Sequence, residues 1–317
     1  MASTNTVPEV TAEDLRRSLS RVDPARKRTD VIMRVVVYIA FALAMAPLIS
    51  LVWSVLVRGV GRLDTYFLLN SMRNVFGGMD AGGAYHAIVG TLVITGWAAL
   101  ISVPIGLMVA IYLVEYGTGR LAKAVTFLVD VMTGIPSIVA GLFAFALFYL
   151  LIGPQKAGII GSVALALLMT PVVIRSSEEM LRLVPNELRE ASYALGVPKW
   201  LTTIKVVLRT AVAGLTTGVM LAIARVIGET APLIITVGMT NSINNDVFRE
   251  NMMTLPVYVW QQFGLGLVPC REGATDCIAT INFDRAWAAA LTLILIVMLL
   301  NLVARGVSRW FAPKVRG

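Results

Sequence analysis

Residues 178–200 read EEMLRLVPNELREASYALGVPKW, a polar stretch that lies between two long apolar segments. Asn186 is a favourable N-cap, and Glu187 suits the positive end of a helix. Gly196 can adopt the left-handed conformation that ends a helix, and Pro198 then opens the next one. The stretch therefore predicts a helix of about nine residues between two turns. Because so short a helix is marginal alone, it is typical of one that docks in a groove on a partner.

The apolar segments around this stretch are long enough to cross a lipid bilayer. Hydrophobic residues make up 57% of the 317 residues and charged residues 15%, against about 25% charged in ordinary soluble domains. A transmembrane helix needs about 20 predominantly apolar residues. We therefore predict an all-α membrane protein with six transmembrane helices: Val35–Val57, Tyr85–Val114, Ala124–Ile152, Gly158–Ile174, Val206–Val237 and Ala286–Val303. The second and fifth segments run to about 30 residues, so they must tilt, project or break.

Lysine and arginine residues predict the orientation of these helices. The net charge is +8, and the basic residues flank the apolar segments instead of forming one stripe, which favours a membrane over nucleic acid. They concentrate in the N-terminal tail up to Arg34, in the segments 115–123 and 175–209, and after Val303. By the positive-inside rule these parts and both termini are cytoplasmic, and residues 238–284 form an external loop.

The predicted organisation has three parts: a polar tail over residues 1–30, a transmembrane domain over residues 31–309 and a basic tail over residues 310–317. Two interpretations of the first tail stay open. Leu15 and Leu19 share one helical face, which favours a short amphipathic helix along the inner membrane surface. A disordered tail fits the same residues equally well.

Cysteine, histidine and phosphate-binding motifs limit the chemistry of this chain. Cys270 and Cys277 are the only cysteines and fall in the external loop, where their spacing and an external compartment permit a disulfide. With His86 as the single histidine, most metal chemistry is excluded. No Gly-x-x-x-x-Gly-Lys-Ser/Thr loop occurs in the sequence, so any ATP hydrolysis that energises transport must come from a separate subunit.

The polar stretch also carries a recognisable pattern, which consists of Glu190, Ala191, Ser192, Gly196, Val206 and Leu208. In this order and spacing these residues resemble the EAA loop of bacterial ABC importer permeases, here over residues 178–208. Ser192 stands where the family usually has a second alanine, and Arg209 where it often has proline. The resemblance implies that the short helix, with Asn186 and Leu195 near its ends, is a coupling helix that fits a cleft on an ATPase subunit. An ordinary amphipathic loop between spans is the alternative.

Two further stretches indicate which subfamily of these permeases the chain resembles. Thr133–Gly141 reads TGIPSIVAG and Ala224–Leu233 reads ARVIGETAPL. With RSSEEM at Arg175–Met180 they are similar to signatures of phosphate-specific ABC permeases, near the A-type subunit. The resemblance implies the type I importer fold, a multi-pass location in the plasma membrane, and a homologous C-type permease as partner. It further implies a dimer of ATPase subunits that binds ATP and Mg, and an external phosphate-binding protein. This chain is expected to hold no cofactor, and to contact lipid but no nucleic acid.

Charged residues inside the predicted spans are the candidates for a substrate pathway. Arg225 and Glu229 lie within the fifth span, four residues apart, so we expect them on one helical face. Charges at membrane depth are costly unless they pair or face a cavity, and the arginine fork can donate paired hydrogen bonds to phosphate. Arg175 is a second positive candidate, and Thr230 and Ser137 add hydroxyl groups. In the alternative, Arg225 and Glu229 neutralise each other and Arg175 caps a helix.

Small residues in the third and fifth spans predict local features of the helices, which are a break or kink in the third span and close packing in the fifth. Gly134, Pro136 and Ser137 can break the third span and point backbone donors at an anion, or they can form a simple kink. A small-residue stripe predicts close helix packing, either against another permease or within this chain; it consists of Gly214, Gly218 and Ala222. Asp130 is expected to form a buried pair with an arginine.

Two other functions stay compatible with part of these observations. The same machine could carry another oxyanion, such as sulfate or molybdate. A secondary transporter or a channel needs no ATPase, but such proteins have no need for a capped cytoplasmic helix of this design. The sequence therefore favours a non-catalytic permease subunit that passes inorganic phosphate inward.

Overall fold

The computed structural model of the chain describes residues 24–271 and 277–311. Over these two ranges every regular element is helical. The α-helices are, in chain order, α1 (Pro24–Gly59), α2 (Thr65–Leu69), α3 (Tyr85–Ile111), α4 (Gly119–Thr133), α5 (Ser137–Ile152), α6 (Gly158–Arg182), α7 (Asn186–Ala194), α8 (Lys199–Thr202), α9 (Leu208–Val226), α10 (Ala231–Thr236), α11 (Leu255–Leu265) and α12 (Ile281–Phe311). Two π-helical turns, Tyr112–Tyr116 and Thr203–Val207, follow α3 and α8 directly.

The chain divides into two compact units, of which the first ends at Ser54 and the second begins at Val55. In the first unit the described residues are helical, and nearly all of their side chains are exposed. The second unit contains the remaining helices and a buried core. Of the predicted tail over residues 1–30, the last seven belong to α1, and the others lie outside the described residues. Most of the predicted tail 310–317 lies outside them as well.

Five helices are long and apolar enough to cross a membrane: Ala25–Arg62, Tyr85–Tyr116, Gly158–Arg182, Lys199–Val226 and Ile281–Gly306. Each overlaps one of the predicted segments, and the third predicted segment falls on the bent pair α4–α5. If that pair counts as one span, the described residues hold six, as predicted. The fourth span continues past its predicted end at Ile174, so that the RSSEEM stretch is part of α6.

The third predicted span is not one straight helix. α4 and α5 meet at an angle of 106° across the residues between Thr133 and Ser137. Pro136 has φ −58° and ψ 137°, which is extended backbone, and its ring disfavours helical geometry in the residue before it. These residues therefore form a full break, and the simpler expectation of a kink is wrong.

The fifth predicted span, Val206–Val237, is interrupted too. α9 ends at Val226, and the short helix α10 begins only at Ala231. Pro232 lies in the first turn of α10, where its missing N–H leaves no hydrogen bond unmade. In a continuous helix its ring would clash with the carbonyl group four residues earlier. Of the outcomes expected for a segment of this length, the break is therefore the one that occurs.

Glycine residues allow the central helices of the second unit to pack closely. A Cβ atom on Gly106 of α3 would lie 2.6 Å from Cγ1 of Val173 on α6. On α9, a Cβ atom on Gly218 would lie 2.7 Å from Oγ of Ser176, which is again on α6. Gly214 meets the next turn of α6 in the same manner. The small-residue stripe thus packs α9 on α6 within this chain, which is one of the two arrangements that the sequence left open.

A buried arginine organises the end of the second unit that the positive-inside rule assigns to the outside. Arg285 on α12 is 1% exposed, and its guanidinium donates hydrogen bonds to the carbonyl oxygens of Ala81 at 2.7 Å and Met79 at 2.8 Å. Arg62 forms an ion pair with Asp80 in the same loop. Because a buried charge needs hydrogen-bonding partners, these contacts fix the loop before α3.

Candidate functional site

The short helix α7 has the length and the C-terminal geometry that the sequence predicted. It covers nine residues, Asn186–Ala194. At its end the N–H of Gly196 donates to the carbonyl oxygen of Tyr193 at 2.9 Å. The N–H of Val197 donates to the carbonyl oxygen of Ser192 at 3.2 Å, which completes a Schellman motif. Gly196 has φ +74°, a conformation that favours glycine.

The start of α7 differs from the prediction. Pro185, with φ −57° and ψ 140°, is the N-cap residue, and Asn186 is already inside the helix. The Asn186 side chain does not cap the helix; its Oδ1 accepts a hydrogen bond from Nη1 of Arg189 at 3.3 Å. The predicted capping role of Asn186 is therefore wrong, because the rigid proline already provides the extended backbone that an N-cap requires.

The residues of the family pattern divide between two sides of α7 and its C-terminal turn. The solvent side carries Glu190, Ala191 and Gly196, together with Leu195, which is not part of the pattern. Leu195 is 83% exposed, so its apolar side chain is available to a partner. Ser192 is buried, and its hydroxyl forms a 2.8 Å hydrogen bond with that of Thr202 on α8. Ser192, in place of the usual alanine, thus makes a contact within the chain. The opposite side of α7 is exposed to solvent.

Arg189 anchors α7 to the rest of the second unit, and sequence reasoning missed it. Its Nη2 lies 2.9 Å from Oε1 of Glu115, at the end of the π-helical turn after α3. The same guanidinium donates to the carbonyl oxygens of Val184 at 2.6 Å and Leu181 at 3.0 Å, at the end of α6. The two charged side chains are 13% and 4% exposed. The one available signal was Glu115 itself, an acidic residue at the end of a span, but its partner is 74 residues away.

A second contact joins the same turn to the residues after α7. The Lys199 ammonium lies 5.0 Å from the centre of the Tyr116 ring, within the range of a cation–π interaction. The π-helical turn Tyr112–Tyr116 ends the second span, and the π-helical turn Thr203–Val207 begins the fifth span, into which α7 leads. Such turns are rare and are found mostly at functional sites. The loop 178–208 therefore contacts one π-helical turn and contains the other.

Arg225 lies in the last turn of α9, and its side chain is exposed. The buried residues of this helix form one stripe: Ala211, Leu215, Gly218, Ala222 and Val226. Arg225 belongs to a different stripe, together with the exposed residues Thr217 and Leu221. Within the described part of the chain, no hydrogen bond or ion pair of the Arg225 side chain is found. This arginine therefore faces away from the core of its own chain.

Glu229 does not share a helical face with Arg225. It lies in the break between α9 and α10, where its N–H donates to the carbonyl oxygen of Val226 at 3.1 Å. Its side chain is half-buried. Among residues 24–271 and 277–306, no ion pair joins it to Arg225. The prediction of one shared helical face is therefore wrong, and mutual neutralisation is not seen in this conformation.

Arg175 is surrounded by carboxylates. It forms an ion pair with Asp130 on α4, and its Nη1 lies 2.9 Å from Oε2 of Glu178. Glu178 also binds Arg182 at 2.6 Å. The expected pairing of Asp130 with an arginine is confirmed, but the Asp130 side chain is 61% exposed and not buried as expected. Arg175 caps no helix here; its charge is balanced by two acids.

The two signature stretches meet in the structure. Gly141 on α5 packs on Pro232 of α10, and a Cβ atom on this glycine would lie 2.6 Å from Cα of the proline. Ser137 and Thr230, each half-buried, make no side-chain hydrogen bond within the described residues. Beside the break between α4 and α5 lies a cavity of about 270 Å³ with an apolar lining: Met132, Ile135, Val139, Ala140, Phe143, Leu167 and Leu168. An anion would find no polar group in that cavity.

The two cysteines are bonded to each other, with Cα atoms 5.7 Å apart. Their pairing closes a short ring at the end of the segment 238–284. The chain that follows the second cysteine is fixed, because the N–H of Ile278 donates to the carbonyl oxygen of Gly78 at 2.8 Å. The bond therefore lies beside the loop that Arg285 organises.

The helical arrangement is that of type I ABC importer permeases. A chain of a bacterial alginate ABC transporter, solved in complex with an alginate pentasaccharide-bound periplasmic protein, superposes with a TM-score of 0.60. The match covers 89% of this chain and 95% of that chain at 14% sequence identity. At this identity the likeness shows the fold alone.

Sequence relatives define the group more closely. Residues 102–317 match the family of binding-protein-dependent transport system inner membrane components, and the chain belongs to this family. It is 48% identical over 268 residues to the phosphate transport system permease protein PstA 1 of Mycobacterium tuberculosis, with 84% of each chain covered. It is 40% identical over 234 residues to the phosphate transport system permease protein PstA of Yersinia pestis, with 74% of each chain covered.

Proposed function

We propose that this chain is the transmembrane permease subunit of an ATP-driven importer and that it forms part of the inward pathway for inorganic phosphate. The relatives named as phosphate permeases match along most of their own length, which supports the substrate. Neither sulfate nor molybdate appears in their names, so the alternative oxyanions are not favoured. The chain itself catalyses no reaction.

The observation that carries the proposal is the exposed Arg225 at the break in the fifth span. An arginine that faced lipid at this depth would be strongly unfavourable, so it must face a cavity or a second subunit. Phosphate loses its hydration when it enters a protein cavity and needs compensating charge. Arg225 supplies a permanent positive charge with paired donors for two phosphate oxygens. We assign Thr230 and Ser137 to the same pathway as hydroxyl donors.

Arg175 contributes less directly to the pathway. In this conformation its guanidinium is engaged by Asp130 and Glu178, so it is not available to an anion. We assign to it a positioning role at the cytoplasmic end of α6. Contact with phosphate would require a conformation in which the pair with Asp130 opens.

In this proposal α7 is the coupling helix. Its solvent side presents Glu190 and Ala191, and the exposed Leu195 follows at its end. A cleft on an ATPase subunit would cover this apolar residue and pair with the carboxylate. Two ATPase subunits would bind ATP and Mg, because this chain has no phosphate-binding loop. Their closure would push α7 and so alternate the access of the pathway.

The other partners follow from the same assignment. A homologous C-type permease would complete the pathway on the side that Arg225 faces. An external phosphate-binding protein would deliver substrate to the face that carries residues 238–284. Both termini and α7 would be cytoplasmic, in agreement with the distribution of lysine and arginine.

Uptake by the complete reconstituted importer tests this function. Proteoliposomes that contain the two permeases and the ATPase dimer, with the binding protein outside, are given labelled phosphate, sulfate or molybdate. We expect ATP-dependent accumulation of phosphate and no accumulation of the other two oxyanions above background. Equal uptake of sulfate would overturn the substrate assignment, and uptake without ATP would overturn the importer class.

A further inference from the structure

We infer that the turn at Glu115 and Tyr116, after the second span, receives the motion of α7 and passes it into the transmembrane helices. This inference rests on the proposed coupling role of α7. It assigns a function to two residues that no sequence pattern singled out. The contact with the ATPase would start the motion, and the pair of Glu115 with Arg189 would transmit it.

The geometry around Arg189 supports a rigid connection. One guanidinium binds Glu115 after α3 and the carbonyl oxygens of Leu181 and Val184 at the end of α6. Its Nε also lies 3.1 Å from Oε1 of Glu115. The rigid fork on α7 thus holds two other segments, so that a movement of α7 acts on both of them. A displacement of α7 is therefore carried to α3 and α6 together.

The charges of this pair are well shielded from solvent. The Glu115 side chain is 4% exposed and that of Arg189 is 13% exposed. Salt and water weaken such a pair much less than an exposed one. Each partner also depends on the other, because a single buried charge would be left uncompensated. The connection therefore persists while the loop moves.

Tyr116 and Lys199 make a second contact between the same turn and the far side of the loop. The turn is thus held at two points, by Arg189 within α7 and by Lys199 after it. The turn is π-helical, a rare geometry that is frequent at functional sites. Beyond the turn, Gly106 lets α3 pack tightly on α6, so the displacement reaches the core of the unit.

The test measures phosphate uptake per ATP hydrolysed in the complete importer in proteoliposomes. Glu115→Gln keeps the shape of the side chain but removes its charge. Arg189→Lys keeps the charge but loses the fork, and it folds more readily because a cation remains beside the carbonyls at the end of α6. Glu179→Gln is the matched control, since Glu179 is an exposed carboxylate on α6 whose side chain has no partner in the described residues. Co-purification of the ATPase subunit and the melting temperature of the complex are recorded for each variant.

We expect Glu115→Gln to retain the ATPase subunit and its ATP hydrolysis while uptake per ATP falls about tenfold, since a charged hydrogen bond is lost. In Arg189→Lys the uptake per ATP should fall severalfold, and in Glu179→Gln it should equal that of the parent. If either test variant assembles and its uptake per ATP equals that of the parent, the inference is overturned. If Glu115→Gln does not assemble, the result for Arg189→Lys decides. Failure of the coupling proposal itself looks different: Glu190→Lys would then leave ATPase co-purification and uptake intact.

Discussion

Arg175 on α6 forms an ion pair with Asp130 on α4, and the two residues are 45 positions apart in the sequence. The pair links the helix before the break in the third span to the helix that leads into α7. Glu178 takes the other side of the Arg175 guanidinium and also binds Arg182. Four charges thus balance one another around the end of α6, and of the two arginines proposed for the pathway only Arg225 has a charge that is not balanced within the described chain.

The first prediction concerns the order of importance within this charge cluster. Asp130 is 61% exposed, so Asp130→Asn should cost less than about 1 kcal/mol, as is usual for exposed pairs. Arg175→Gln should lower the melting temperature of the purified protein more, because Glu178, at 9% exposure, then keeps Arg182 as its sole cation. A larger effect of Asp130→Asn than of Arg175→Gln in thermal unfolding would contradict this order.

The second prediction concerns Arg225 and the substrate. Arg225→Gln should reduce phosphate uptake by more than about tenfold, and Arg225→Lys by severalfold, because lysine keeps the charge but not the paired donors. Association with the ATPase subunit should not change. Arg209→Gln, at the other end of α9, is the matched control and should stay close to the parent. If Arg225→Gln takes up phosphate within about twofold of the parent, Arg225 has a structural role only.

The third prediction concerns α7, the proposed coupling helix. Glu190→Lys should abolish uptake by reversing the charge of the docking surface. Gly196→Asp should do so because a side chain at φ +74° strains the turn, at a cost of about 1–2 kcal/mol. Both proteins should still reach the membrane. Glu179→Lys, on an exposed position of α6, is the control; normal uptake in both test variants would remove the coupling assignment.

The fourth prediction concerns the buried hydroxyl pair. Ser192→Ala restores the alanine that the family usually has, but it leaves the fully buried Thr202 hydroxyl without its partner. We expect a loss of about 1–3 kcal/mol in stability. The double variant Ser192→Ala with Thr202→Val should recover most of it, because no unpaired hydroxyl remains. Thermal unfolding of the two variants decides the point, and equal destabilisation of both would refute the explanation.

The fifth prediction concerns the cysteines. We expect Cys270 and Cys277 to be joined in the mature protein, so that maleimide labels them only after reduction. Full labelling without a reductant would refute this. The ring is short, so the bond should contribute about 2.5 kcal/mol, and Cys270→Ser with Cys277→Ser should affect the local loop more than the assembly of the permease.

The ends of α7 illustrate what local sequence can predict. Gly196 adopts the left-handed conformation, and the helix has the predicted nine residues, because both follow from the preferences of neighbouring residues. The capping role of Asn186 failed for an equally local reason, since Pro185 takes the N-cap position. The prediction that Arg225 and Glu229 share one face is wrong, because α9 ends between them at Val226. Pro232 prevents the helix from continuing.

The sequence by itself determined the membrane class, the apolar spans and the short helix between the fourth and fifth spans, because apolar length, glycine and proline act through contiguous residues. Only the tertiary structure decided which charges pair. Arg189 meets Glu115 across 74 positions and Arg175 meets Asp130 across 45, and a chain offers many acids to each arginine. The choice between them depends on the distances that helix packing sets, and those distances come from close contacts such as Gly106 on Val173 and Gly218 on Ser176.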